Sequence, residues 1–184
     1  YTTLFRSGNG PLINEESYRL VVNGLVEAPR ELTLEEIKAL PAVESFVTMS
    51  CISNRLAGDL IGTTLWTGTS MQNLLAIARP LPEATHIKIT AADGFDEYID
   101  LATIRDDETV MLAWAWDGQP LTQRHGFPLR IHIPNRYGMK QPKWITGMEF
   151  VSAWGEGYWV RRGWDQDAFV RATSVIDTVG VDMM

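Results

Sequence analysis

The 184-residue sequence predicts one α+β domain that is built mostly of strands, with a few short helices. Short segments in which apolar residues alternate recur along the chain, and this alternation is typical of half-buried strands. Helical spacing is confined to two short stretches, at 33–40 and 70–78. Because strands and helices alternate irregularly, we expect a mixed α/β domain and not a regular series of βαβ units.

Each element has its own local signal. Thr33 and Glu36 form a capping box for the first helix, which ends before Pro41, and Ser70 caps the second. Residues 65–69 are predicted to form a turn. Strands are predicted at 18–24, 44–49, 86–91, 98–101, 109–116, 129–134 and 143–153.

Composition excludes several classes of protein. The net charge of -7 argues against a nucleic-acid partner, because such a partner requires a basic surface. The single cysteine cannot form an internal disulfide, so a disulfide-stapled scaffold is excluded. The longest purely apolar run, Val110 to Trp116, is far shorter than a membrane span.

Cys51 is the first candidate functional residue. It follows the predicted strand at 44–49 and opens a polar loop that contains Ser53, Asn54, Arg55 and Gly58. A cysteine can be a small buried hydrophobe, a nucleophile or a metal ligand. The polar neighbours are unsuited to a buried apolar thiol, and Arg55 favours the thiolate that binds metals and attacks electrophiles.

A second candidate site is the group of basic residues around Gly138. Arg130, Arg136, Lys140 and Lys143 follow one another within 14 residues of a chain that is acidic overall. Two interpretations remain open, namely a cradle for a phosphate or another anion, and a solvated surface loop. The local positive excess favours the anion cradle, with His125 as a further contact.

Five motifs, taken in order, cover nearly the whole chain. They are Cys51-Ile52-Ser53-Asn54-Arg55; Trp66-Thr67-Gly68 with Leu74-Leu75; Ala92-Asp93-Gly94; His125-Gly126-Phe127-Pro128-Leu129-Arg130 with Pro134, Tyr137-Gly138-Met139-Lys140 and Lys143-Trp144; and Gly157-Tyr158-Trp159 with Arg162-Gly163-Trp164. The chain resembles the sulfite-oxidase superfamily in these motifs and their order. The resemblance implies one domain over 1–184 with the molybdopterin-binding fold of that family, and without its C-terminal dimerisation domain.

The resemblance also implies a molybdenum–molybdopterin cofactor, with Cys51 as the thiolate ligand of the metal. Catalytic roles are implied for Cys51, Arg55 and Phe95, and the expected substrate pocket is walled by Arg55, Trp66, Phe95 and Tyr98. The residues that match cofactor contacts of the family are Thr2, Phe5, Arg6, Cys51, Ala91, His125, Arg130, Lys140, Gln141, Pro142 and Lys143.

Two positions depart from the sulfite oxidases that the chain resembles. Phe95 replaces an active-site tyrosine, and Leu56 replaces an arginine. Neither residue can hold an oxyanion through a hydrogen bond, so we expect a substrate other than sulfite, such as an S-oxide or an N-oxide.

The sequence therefore predicts an enzyme that transfers an oxygen atom together with two electrons. Its expected partners are a small-molecule substrate and an electron donor or acceptor, for which a cytochrome or a membrane subunit is a candidate. The resemblance favours a periplasmic or membrane-tethered location. One alternative is a cofactor-binding or partner module without turnover, and another is a cysteine-nucleophile enzyme with His125 as its base.

Overall fold

The computed structural model describes residues 10–174, and within them two five-stranded sheets enclose the main core. The predicted cofactor contacts at Thr2, Phe5 and Arg6 lie outside the described residues. No helix in the described part of the chain has the length and apolar character needed to cross a bilayer. The prediction of a single mixed α/β domain, rich in strands and poor in helix, is confirmed.

The first sheet has the strand order β2-β1-β10-β5-β6. Strands β1 and β10 run parallel, and the other neighbours are antiparallel. The strands are β1 (Leu20–Gly24), β2 (Arg30–Leu32), β5 (His86–Ala91), β6 (Asp96–Asp100) and β10 (Ile145–Val151). Ala91 at the end of β5 pairs with Ile145 at the start of β10. This register places the turn after β5 beside the loop before β10.

The second sheet is antiparallel, with the order β3-β4-β7-β8 and β9 also paired to β7. Its strands are β3 (Ala42–Ser50), β4 (Ile61–Ser70), β7 (Met111–Trp116), β8 (Gln119–Pro120) and β9 (Arg130–His132). The predicted turn at 65–69 is wrong, because these residues lie inside β4, where all five pair with β3 and residues 66–69 also pair with β7. Gly68 is required there, since a Cβ atom would lie 2.2 Å from the Leu112 carbonyl oxygen.

Three short helices complete the fold: α1 (Leu34–Lys38), α2 (Met71–Ala78) and α3 (Leu101–Asp106). The capping box of Thr33 and Glu36 and the Ser70 cap are both present. Helix α3 was not predicted, because Leu101 was assigned to the preceding strand. Asp100 ends β6 and caps α3 by accepting a hydrogen bond from the Thr103 N–H.

The two sheets are joined by hydrogen bonds at one end. The Ile145 N–H donates to the Leu129 carbonyl (3.1 Å), and the Ile131 N–H donates to the Pro142 carbonyl (3.2 Å). These bonds connect the start of β10 in the first sheet to β9 in the second. The loops that carry the predicted site residues therefore meet where the sheets come together.

Candidate functional site

The Cys51 loop is held in a defined shape at the end of β3. The Cys51 N–H donates to the Leu60 carbonyl (2.9 Å), and the Leu60 N–H donates to Asn54 Oδ1 (3.0 Å). The thiol is half-buried, with its Sγ 3.0 Å from Ser53 Oγ. A paired strand therefore positions a cysteine that is still accessible, as the sequence predicts.

Arg130 is the most buried cation beside this strand, with 5% of its surface exposed. One terminal nitrogen donates to the His125 carbonyl (2.9 Å), and the other lies 3.5 Å from Met49 Sδ. The guanidinium stacks 4.7 Å above the Trp66 ring. Since Met49 precedes Cys51 by two residues on β3, Arg130 lies next to the strand that carries the cysteine.

Lys143 lies against the same loop as Arg130. It is 5% exposed, its Nζ donates to the Arg124 carbonyl (2.9 Å), and it stands 4.2 Å above the Trp144 ring. A Cβ atom on Gly126 would lie 3.1 Å from the Cβ of Lys143 and 3.2 Å from that of Arg130. Glycine at 126 therefore allows the two cationic side chains to pack on one loop residue.

His125 completes this basic cluster, which consists of His125, Arg130 and Lys143. Its ring lies 4.1 Å from the Trp116 ring, and its Nδ1 is 2.6 Å from Thr122 Oγ1. Burial, followed by the charges of Arg130 and Lys143, lowers the pKa of His125 to about 4. The neutral imidazole therefore lies beside two cations at neutral pH.

The two cations of the basic cluster form no ion pair with a carboxylate of the described residues. Burial lowers the pKa of Arg130 to about 9, and burial together with the charge of Arg130 lowers that of Lys143 to about 8. The ion pairs formed within residues 10–174 include neither side chain, and Asp93 acts on Lys143 only from a distance. The buried Nε–H of Arg130 has no hydrogen-bond partner among the described residues.

These features fit a group that carries a phosphate. A buried donor without an acceptor and two buried cations without a carboxylate are unfavourable in isolation. A phosphate supplies both acceptors and negative charge, and arginine and lysine are its usual ligands. The basic cluster is therefore chemically suited to the phosphate end of molybdopterin, and Cys51 is suited to a soft metal.

The turn after β5 brings Ala91 and Phe95 to the same end of the fold. The Ala91 N–H donates to the Phe95 carbonyl (2.9 Å), and the Ala92 N–H donates to the Trp144 carbonyl (2.9 Å). The second bond attaches this turn to the residue that follows Lys143. Ala91 and Phe95 are both buried.

The two sides of the cysteine contact different parts of this arrangement. On one side, Met49 contacts Arg130 of the basic cluster. On the other side, Ile52 packs against the apolar cluster that contains Ala91 and Phe95. The fold thus brings six of the predicted site residues into one region, namely Cys51, Arg130, Lys143, His125, Ala91 and Phe95.

Lys140 does not join the basic cluster, in contrast to the expectation that it contacts the phosphate. Its Nζ donates to Glu97 Oε1 (2.8 Å) in an ion pair whose side chains are only 5% and 0% exposed. The run of basic residues around Gly138 did not reveal this pairing, because the partner carboxylate lies on β6, which is distant along the chain. The ammonium group is therefore committed to an internal partner.

The side chain of Gln141 is also used inside the protein. Its Oε1 lies 2.8 Å from His132 Nδ1, and its Nε2 donates to the Arg136 carbonyl (2.8 Å). The Pro142 carbonyl accepts the bond from β9 described above. Of the predicted contacts at 140–143, only Lys143 places a charged side chain in the basic cluster.

The expected substrate wall requires three corrections. Trp66 is 2% exposed beneath Arg130, so it supports the cation and does not line an open pocket. Tyr98 points to the opposite face of β6 from Phe95, because side chains alternate along a strand. Arg55 is exposed in the loop after Cys51, and Leu56 beside it is 71% exposed.

Sequence reasoning missed Tyr158 as a candidate wall residue. Its ring lies 5.5 Å from the Phe95 ring and belongs to the same cluster that Ile52 contacts. The guanidinium of Arg162 stacks 3.6 Å above this ring. The Gly157-Tyr158-Trp159 motif was the available signal, but Phe95 was given the position of the tyrosine. A phenol therefore does stand beside Phe95.

The chain is similar to known oxidoreductases over most of its length. The chain is 34% identical over 150 residues to the uncharacterized oxidoreductase YuiH of Bacillus subtilis, covering 80% of this chain and 72% of that protein. It is 31% identical over 153 residues to a putative protein-methionine-sulfoxide reductase subunit, YedZ1, of Azospira oryzae, covering 83% of this chain and 56% of that protein. The chain thus spans little more than half the length of the second relative.

The fold resembles that of the sulfane dehydrogenase SoxCD from Paracoccus pantotrophus. The TM-score is 0.72 at 24% identity, over 81% of this chain and 41% of that chain. The family model described as the oxidoreductase molybdopterin binding domain matches residues 7–159. The chain therefore belongs to the oxidoreductase molybdopterin-binding domain family, of the sulfite-oxidase superfamily, whose cofactor is molybdenum–molybdopterin.

Proposed function

We propose that this domain forms the molybdenum centre of an oxidoreductase that transfers an oxygen atom together with two electrons. The observation that carries the proposal is the basic cluster, in which two buried cations lie beside the strand of Cys51 and pair with no carboxylate among residues 10–174. A protein without an anionic ligand gains nothing from such charges, because their burial is costly. A bound phosphate compensates them.

Each part of the site has a separate task in this proposal. Cys51 supplies one thiolate to the metal from a loop held by main-chain bonds. Arg130 and Lys143 hold the phosphate, and the turn at Ala91 borders the cofactor. When bound, the cofactor supplies the two-electron redox chemistry, whereas the protein supplies binding and orientation.

We further propose an S-oxide or an N-oxide as the oxygen donor, and not sulfite. Phe95 offers an apolar wall, and Leu56 stands exposed where the resemblance would place an arginine. Arginine and lysine are the natural ligands of a small dianion, so their loss disfavours sulfite. The name of the Azospira relative, a methionine-sulfoxide reductase subunit, supports the same class of substrate.

A redox reaction of this kind requires a donor or an acceptor of two electrons. The words "subunit" in one relative's name and "SoxCD" in the name of the structural neighbour support an electron-transfer partner. We propose a cytochrome or a membrane subunit in this role. The family resemblance also favours a periplasmic or membrane-tethered location for the complex.

The proposal is tested with protein made in a host that synthesises the molybdenum cofactor. We expect about one molybdenum and one pterin per chain. Reduction of a panel of sulfoxides and N-oxides with a dye donor, beside sulfite oxidation with a dye acceptor, then identifies the reaction. The Cys51→Ser variant is the control for the metal ligand. Protein that carries neither molybdenum nor pterin would refute the cofactor assignment.

Bound cofactor without turnover on any substrate would instead favour the alternative of a binding module. A cofactor-free protein whose activity depends on both Cys51 and His125 would favour the cysteine-nucleophile alternative. The low pKa of His125 argues against that reading, because an imidazole with a pKa of about 4 is a weak base at neutral pH.

A further inference from the structure

Glu97 is a buried carboxylate that the proposed function does not use. It lies on β6, two residues after Phe95, and none of its surface is exposed. Its Oε1 accepts hydrogen bonds from Lys140 Nζ (2.8 Å) and from the Tyr98 N–H (2.9 Å). Its Oε2 is buried and has no hydrogen-bond partner among the described residues.

Glu97 contacts three segments that carry candidate site residues. The first is its own strand, which begins just after Phe95. The second is the short helix Gly138–Lys140, which leads directly into the loop that ends at Lys143. The third is the turn before Tyr158, because a Cβ atom on Gly157 would lie 2.1 Å from Glu97 Oε1.

The neighbouring turn is attached to β6 as well. The Tyr158 N–H donates to the Asp96 carbonyl (2.9 Å), so the turn closes over the buried face of the strand. Only glycine at 157 leaves room for the carboxylate beneath. Glu97 therefore contacts both the turn before Tyr158 and the start of the loop that ends at Lys143.

We propose that Glu97 and Lys140 form a positioning pair. The pair fixes the position of the phosphate loop, which is the loop that ends at Lys143, relative to Phe95 and Tyr158. The pair touches neither the basic cluster nor Cys51, and it acts through the segments that it joins. A buried ion pair with one oxygen left without a hydrogen bond contributes little net stability. Its value lies in the defined geometry that a short, buried, charged contact imposes.

This inference rests on the proposed function, because the loop that ends at Lys143 is taken to hold the cofactor's phosphate. The positioning role and direct phosphate binding by Lys140 predict different effects of the variants on cofactor binding. If Lys140 bound the phosphate, removing the charge of Glu97 would free the ammonium and strengthen cofactor binding. If the pair positions the loop, removing either charge weakens cofactor binding to a similar extent.

The test compares Glu97→Gln, Lys140→Met and the double variant in cofactor-loaded protein. We expect each single variant to lose molybdenum and pterin about ten- to a hundredfold faster than wild type, as is typical of residues behind a metal site. The double variant is expected to be no worse than either single variant, because the two side chains act as a unit. Hydrogen exchange of the apoprotein is expected to quicken at 138–143 and 155–159.

Two matched controls separate positioning from general stability. Glu27→Gln removes a carboxylate that pairs with the exposed Arg79 outside this region, and it should leave cofactor loss unchanged. Ile104→Ala destabilises the main core from α3 and should lower the melting temperature without faster cofactor loss. If Glu97→Gln folds poorly, Lys140→Met still tests the pair, because the carboxyl group that it leaves unpaired can be protonated.

The outcomes distinguish this inference from the proposed function. A wild-type protein that binds no cofactor refutes the proposed function and removes the basis of the pair's role. A wild-type protein that binds cofactor, with Glu97→Gln retaining it equally or better, overturns the positioning role alone. Cofactor loss that simply follows the melting temperature, with Ile104→Ala behaving like Glu97→Gln, also overturns it.

Discussion

Replacing Lys143 by methionine should stabilise the apoprotein while weakening cofactor binding. Methionine has a similar length and shape but carries no charge. The ordinary lysine pKa of 10.5 falls to about 8 in the folded protein, chiefly because the side chain is buried. This difference corresponds to a cost of about 3 kcal/mol for keeping the ammonium charged in the folded state.

The lost hydrogen bond to the Arg124 carbonyl offsets part of this gain. Such a bond contributes about 1 kcal/mol. We therefore expect the Lys143→Met apoprotein to be about 2 kcal/mol more stable at pH 7, which raises the melting temperature by about 4–8 °C for a chain of this size. The cofactor loses charge-assisted bonds of about 1.5–3 kcal/mol, so it should bind between about ten- and a hundredfold more weakly.

The dependence on pH has a defined sign. Below pH 8 the amine is protonated in both the folded and the unfolded state, and the full cost of burial applies. Between pH 8 and 10.5 the unfolded chain binds the proton more tightly than the folded protein does, so wild-type stability rises with pH. The advantage of the methionine variant should therefore shrink over this range.

The assay combines calorimetry of the apoproteins with the rate of cofactor loss from the loaded proteins. Lys38→Met is the matched control, because it removes a lysine that is 40% exposed and paired with Glu15 on the surface. Exposed ion pairs contribute little to the free energy of unfolding. This control should therefore change neither the stability of the apoprotein nor the rate of cofactor loss appreciably. A Lys143→Met apoprotein that is less stable than wild type, or cofactor retention equal to wild type, would refute the reasoning.

Three further predictions concern the metal, the histidines and the substrate. Cys51→Ser should alter the visible absorption of the bound metal and reduce activity, because a hydroxyl is a harder donor than a thiolate; an unchanged spectrum would contradict the ligand assignment. The pKa of the buried His132 is lowered to about 4, so this residue alone should lower apoprotein stability measured in urea by about 2–3 kcal/mol between pH 7 and 4.5, as the unfolded chain binds the proton first; His125, whose pKa is also about 4, adds a further loss, and His132→Asn should remove only the first contribution. Sulfite should be oxidised with kcat/KM below about 10⁴ M⁻¹s⁻¹; a higher value would show that Tyr158 and Arg162 supply what Phe95 and the missing arginine do not.

The fold was predictable from the sequence to the extent that its signals are local. The capping box at Thr33 and the Ser70 cap are recorded in a few adjacent residues, and both helices are found where these signals place them. The prediction of a turn at 65–69 failed because Gly68 was interpreted as a turn residue. Glycine is needed at position 68 because β7 approaches β4 closely there, and the local sequence does not reveal this approach.

The candidate site was predictable where chemistry alone identifies the residue. A lone cysteine after a strand and an excess of basic residues in an acidic chain both pointed to the region that the fold assembles. The ion pair of Lys140 was not predicted, because its partner is 43 residues away along the chain and nothing near it marks the pairing. Glu97 was not among the site residues predicted from the sequence, because only its place on β6 turns the carboxylate inward.

The basic cluster explains how one domain can be stable yet depend on its cofactor. Trp66 and Trp144 offer aromatic faces to Arg130 and Lys143, and main-chain carbonyls accept their hydrogen bonds, so the apoprotein tolerates the two charges. These contacts lessen the cost of burial but do not remove it, as the lowered pKa values of both groups indicate. A ligand that binds only the folded state stabilises it by mass action. Because a phosphate would relieve a cost that the protein already carries, cofactor binding should be coupled to folding more strongly here than in a site whose cations are paired with carboxylates.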